Sequence, residues 1–178
     1  MKKILVLLLA LLMVSGVLFA EDPVLTVYGF VTAEDPETIF TSTQTLTAPG
    51  IDLKTNTDIH GGVAGGNGVK IGTWKIATFN HLGTESYKVK YTFSPLVNAT
   101  ESLSLGYNVI EADGGTLSAA IASGGFGDNY GPVPSGNNEK SRDVRVRLTA
   151  AATSTVLGLT VTAIENLQST ITLALVIN

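Results

Sequence analysis

Tyr87-Lys-Val-Lys-Tyr-Thr-Phe93 and Val144-Arg-Val-Arg-Leu-Thr149 decide how this chain folds. In the first segment the odd positions are apolar or aromatic and the even ones are Lys, Lys and Thr. In the second the phase is reversed, with apolar side chains at the even positions. Alternate side chains on a strand point to opposite faces, so each segment predicts a strand with one buried and one wet face. A solvated face is characteristic of antiparallel sheets. Strands of parallel sheets are covered on both sides and read as continuous apolar runs.

The same period-two pattern extends outward from these segments. It predicts strands over residues 24–32, 38–46, 69–78, 86–94, 102–111, 144–151, 156–162 and 170–177. Pro36, Pro49-Gly50, Asn80, Gly83, Asn98 and Gly114-Gly115 separate them as turn formers. Residues 116–122 suit either a helical turn or a short strand. About eight short strands with frequent turns predict an all-β, antiparallel two-sheet sandwich. A small outer-membrane barrel also alternates, but it needs an apolar band flanked by aromatic girdles. Aromatics are only 7% of this chain, which ends in Val-Ile-Asn, and the sandwich is the better reading.

The first residues, MKKILVLLLALLMVSGVLFA, run from two lysines through an apolar stretch to small residues, the order of a signal peptide. The alternative is an uncleaved anchor, because the stretch approaches the ~17 residues that can span a bilayer. Cleavage after Ala20 gives residues 1–20 as signal peptide and 21–178 as one sandwich domain. Of the 11 basic residues, two are lost with Lys2 and Lys3, leaving 9 against 15 acidic ones. That acidic balance argues against a nucleic-acid partner, which requires clustered Lys and Arg. With 0 cysteines the chain has no disulfide and no lipid-bearing cysteine. No later segment is long and apolar enough for a spanning helix. The expected location is secreted, periplasmic or on the cell surface.

Gly72-Thr-Trp74-Lys-Ile76-Ala-Thr78-Phe-Asn80, followed by Ser86-Tyr-Lys-Val-Lys-Tyr-Thr-Phe-Ser-Pro95-Leu96, resembles the middle of bacterial fimbrial-type and related secreted immunoglobulin-like sandwich proteins. The ending from Ala163 to Leu175 is similar to their closing strand, Gly-x-Tyr-x-x-x-Ile-Thr-Leu. Aligned on Ile171, Glu165 stands where Gly is usual and Leu167 where Tyr is usual. The resemblance implies an exported, non-enzymatic structural or adhesive protein of a bacterial surface. Its partners would be further copies of itself, through strand pairing, or a surface glycan or protein. Residues 24–32 would then be either the domain's own first strand or a strand donated to another copy.

Chemical motifs are sparse. His60-Gly-Gly-Val-Ala-Gly-Gly-Asn-Gly-Val-Lys70 is rich in glycine, but Asn67 follows Gly66 where a phosphate loop needs Lys, and no helix follows for a dinucleotide site. It reads as a flexible hinge or hairpin loop leading into the strand at Val69. His60 and His81 are too few for a zinc site without cysteine and read as solvated loop residues. No Gly-x-Ser-x-Gly elbow accompanies the serines. Glu111, Asp113, Asp128 and Asn129 sit beside glycines as calcium ligands often do, although Gly and Asp are equally ordinary turn formers. Trp74 alternates with Ile76 and reads as core. No catalytic residue, metal ligand or cofactor is assigned. The candidate binding residues are Phe126, Asp128, Asn129 and Tyr130, in a loop longer than most connections in compact domains. They suit a carbohydrate or protein surface, and a secreted carbohydrate-binding module is the alternative function.

Overall fold

The computed structural model describes residues 37–46, 50–63, 66–98, 102–160 and 167–178. The chain divides into two units, Met1–Ala33 and Glu34–Asn178, and every described residue belongs to the second. The expected signal peptide and the expected strand over residues 24–32 lie outside the described residues.

The described chain is all-β with antiparallel sheets, one α-helix and a short 3-10 turn at Thr57–Ile59. Its strands are β1 (Glu37–Gln44), β2 (Val69–His81), β3 (Tyr87–Phe93), β4 (Leu96–Asn98), β5 (Leu103–Leu105), β6 (Tyr107–Asp113), β7 (Thr116–Leu117), β8 (Gly136–Leu148) and β9 (Ile171–Ile177). Five strands form a sheet in the order β1-β2-β8-β6-β7, while β3 pairs with β9 and β4 with β5. The alternation read from sequence sets the inner faces. Trp74 and Ile76 of β2, Tyr107 and Val109 of β6, and Val144, Val146 and Leu148 of β8 enter the core from the large sheet. Tyr87, Val89 and Tyr91 enter the same core from β3. The Tyr87 hydroxyl and Thr38 Oγ1 are 3.0 Å apart, and the Phe93 and Tyr107 rings stack at 4.7 Å. These contacts join β3 to β1 and β6 of the five-stranded sheet.

Three expectations change. Residues 102–111 are not one strand: the chain breaks at Gly106, so that β5 pairs with β4 and β6 with β8. Strand β8 begins well before residue 144. Its polar first half shows little apolar alternation because it is held by ladder bonds to β2 and by surface ion pairs such as Lys75–Glu139. Residues 150–158 are α1, an α-helix (Ala150–Gly158), where the sequence predicts strands ending at 151 and starting at 156. The Thr149 side chain caps it by accepting from the Ala152 N–H at 3.2 Å, and three successive alanines favour the helix. Ser154 and Thr155 return their hydroxyls to the carbonyls of Ala150 and Ala151, so strand-like residues are accommodated.

The described glycines of the glycine-rich loop, Gly61, Gly62, Gly66 and Gly68, are tightly packed against the end of β8, the start of α1 and His60, where the sequence predicts a flexible hinge or hairpin loop. A Cβ on Gly61 would lie 1.9 Å from the Leu148 carbonyl oxygen. The Gly61 N–H donates to Thr153 Oγ1 at 2.9 Å, and Arg147 and Arg145 donate to the carbonyls of Gly66 and Gly68. Lys70 points outward to Asp143 at 2.7 Å, as the alternation of β2 requires.

Candidate functional site

Residues 123–131 run alongside β3 on the side away from β9. The amides of Gly124, Gly127 and Tyr130 donate to the carbonyls of Tyr91, Val89 and Tyr87, and Tyr91 and Tyr87 donate back to Gly125 and Tyr130. The segment therefore behaves as an irregular extra strand. This placement separates the four candidate binding residues. Phe126 is 48% exposed, with Lys90 Nζ 5.9 Å from its ring centroid. The ring of Tyr130 packs instead toward Tyr87, with centroids 6.4 Å apart. The side chains of Asp128 and Asn129 face solvent, and Asn129 makes only a long contact, 3.5 Å, with the Gly131 carbonyl. Phe126, Asp128 and Asn129 thus share the outer surface, and Tyr130 helps to seat the loop.

Beneath this loop lies a carboxylate whose burial the sequence reading missed. Glu111 is 1% exposed. Its Oε1 accepts from the Tyr91 hydroxyl at 2.7 Å and from Trp74 Nε1 at 3.3 Å, and its Oε2 accepts from the Asp128 N–H at 2.9 Å. Trp74 Nε1 also donates to the Tyr91 oxygen at 2.7 Å. A Cβ on Gly127 would stand 1.9 Å from Glu111 Oε1, so only glycine lets the loop backbone lie on the carboxylate. The signal was present as parity. Glu111 is in phase with Tyr107 and Val109, and alternation puts it on the core face of β6. Burial pushes the Glu111 carboxyl above its ordinary value, opposed by the bonds from Tyr91, the Asp128 amide and Trp74. Burial likewise pushes the Tyr91 phenol up, helped by the neighbouring Glu111 charge.

The other acids beside glycines are engaged differently. Asp113 Oδ2 is 2.7 Å from both Lys140 Nζ and Arg142 Nη1, and the Lys140 bond holds its carboxyl below the usual range. Among the described residues no group of three or more His, Asp or Glu gathers as a metal site would require.

Both histidines are buried, contrary to the solvated positions expected. His60 Nε2 is 2.8 Å from the Leu53 carbonyl oxygen, to which it donates. His81 Nδ1 accepts from the Gly83 N–H at 3.0 Å, which leaves Nε2–H to face Glu85 Oε2 at 3.1 Å. The Tyr87 hydroxyl donates to the same Glu85 oxygen at 2.9 Å. These contacts pin the turn between β2 and β3.

Fold and site together define an all-β antiparallel protein with a loop seated on a buried carboxylate. No protein-family model matches the chain, and neither a curated protein nor a solved structure matches it.

Proposed function

We propose that this chain is an exported, non-enzymatic structural or adhesive protein of a bacterial surface, an immunoglobulin-like sandwich that associates with its own copies by strand pairing. The observation that supports this reading is the outer edge of β9. Ser86 and Asn178 exchange both of their backbone hydrogen bonds. With the β3-β9 register, this makes 88/176, 90/174 and 92/172 the bonded pairs and turns the N–H and C=O groups of 171, 173, 175 and 177 away from β3. Among the described residues β9 pairs with β3 alone. Its sequence, Ile-Thr-Leu-Ala-Leu-Val-Ile, has neither charge nor proline, the usual devices that discourage pairing at an edge. Leu173 and Leu175 are only partly buried, whereas their register partners Tyr91 and Val89 are closed off. A further strand beside β9 would cover that flank. Residues 24–32, Val-Leu-Thr-Val-Tyr-Gly-Phe-Val-Thr, are uncharged and suited to the role.

The test is light scattering on the chain from Glu21 onward, on the same chain lacking 24–32, and on Ala174→Lys. The Ala174 side chain is exposed, so lysine there adds a charge without entering the core. Oligomers that fall to monomers in both variants are expected. A parent protein that stays monomeric, or oligomers indifferent to both changes, would remove the assembly reading.

A second reading, carbohydrate binding by the outer surface of the loop, is favoured by the exposed Phe126 ring beside Asp128 and Asn129. A glycan array should then lose its signal with Phe126→Ala. Absence of any bound saccharide sinks it.

A further inference from the structure

Among the described carboxylates only Glu111 is buried, and none of the ion pairs among the described residues reaches it. Taking a carboxylate ion out of water without a counter-ion is unfavourable, even where hydrogen bonds offset part of the loss. The groups that face it come from every element packed around it. Tyr91 stands on β3 and Trp74 on β2, while Val144 is its register partner on β8. Arg142 lies further along the inner face of β8, where its guanidinium is held by Asp113 and its charge acts on Tyr91. The loop contributes the Asp128 amide, and the like charge of the Asp128 carboxylate pushes Glu111 up further. Gly127 and Asp128 lie directly on the carboxylate, the first partly and the second largely exposed to solvent, and their segment is attached to β3 by a short irregular ladder.

We propose that Glu111 is a proton-operated latch on residues 123–131: the segment stays seated on β3 while Glu111 carries a proton and is released toward solvent as the carboxylate ionises. The neutral acid suits the closed arrangement, because the site holds no counter-ion for the charge and a carboxyl protonated on Oε2 leaves Oε1 accepting from the Tyr91 hydroxyl and Trp74 Nε1. The ion gains water only if a cover lifts, and of the segments that bond it the loop alone is not a strand of a sheet. The sign follows from linkage. The closed state has the raised carboxyl, so it is favoured at low pH, and that advantage is lost as pH rises from the ordinary value of 4.5 through the raised one. Phe126, Asp128 and Asn129 ride on this segment, so the surface they form would change with pH. The latch does not rest on self-association or on glycan binding.

The chain has one tryptophan, and Trp74 Nε1 touches Glu111, so its fluorescence reports the carboxylate directly. Amide exchange at Gly124, Gly127 and Tyr130 reports the loop. Across about pH 4 to pH 8, protection corrected for intrinsic exchange should fall together with a change in Trp74 emission, by about tenfold for each unit separating the closed and open carboxyls. The common midpoint should lie above 4.5. Glu111→Gln should abolish both transitions. Tyr91→Phe, which removes a donor to the ion, should move the midpoint upward. Protection that does not vary with pH, a transition that survives in Glu111→Gln, or an unmoved midpoint in Tyr91→Phe would each overturn the latch. The Tyr91 variant decides the question if the Gln variant fails to fold.

Discussion

In residues 60–63 and 66–68 glycine lets backbone lie on backbone. Cβ atoms on Gly61 and Gly66 would each come 1.9 Å from a carbonyl oxygen, of Leu148 and His60 respectively. In residues 123–131 Gly125 and Gly131 also approach backbone, but the tightest approach, at Gly127, is to the end of a side chain. Gly127 rests on the Glu111 carboxylate, while Gly124, at φ +83, faces open space. Two loops of similar composition therefore differ in what they touch. The first is wedged among β8, α1 and the arginines of β8, with partners that cannot move aside. The second leans on a group whose charge and position can change. Glycine density reports close approach, and the neighbour decides whether that approach makes a joint or a movable cover.

Substitutions can break or sharpen this contrast. The largest effect is expected from Gly61→Ala, where the clash is with the main chain: a loss of roughly 3 kcal/mol in urea unfolding, at the upper end of overpacking costs. A change below about 0.5 kcal/mol would show that this loop is not wedged. Gly127→Ala should cost less, about 1–2 kcal/mol, because the loop can lift at the expense of the Asp128 amide bond. Trp74 emission should shift in this variant although the substitution does not touch the indole, and unchanged emission would separate the loop from the carboxylate. Phe126→Ala, on the outer surface, should alter stability by less than about 0.5 kcal/mol. Any loss of binding in that variant is then a loss of contact and not of folding.

Much of this architecture was legible in the residues. Tyr87–Phe93 and the second half of β8 alternate cleanly, and the structure pairs both as antiparallel strands with the expected faces inward. The helix was not legible, because Thr, Ser and Val resemble strand residues until Thr149 caps three alanines. The loop over residues 123–131 was legible as long and aromatic, but its division into an exposed Phe126 and a seated Tyr130 depends on which β3 residues turn their backbone groups toward it. For the same reason the histidines were misread. His60 and His81 are buried because Leu53, Gly83 and Glu85 supply partners, and those contacts follow from turns whose course cannot be read from residue types alone.

The sequence by itself determined the all-β class, the period-two faces of the principal strands and the parity that turns Glu111 inward, because strand geometry ties each side chain's direction to its position in the chain. Only the tertiary structure decided what that carboxylate meets. Tyr91, Trp74 and the Asp128 amide come from three distant stretches, and their convergence depends on how the β3-β9 ladder sits on the larger sheet. Chain order carries no record of that distance. It arises when the two inner faces close and leave one acid between them without a counter-ion.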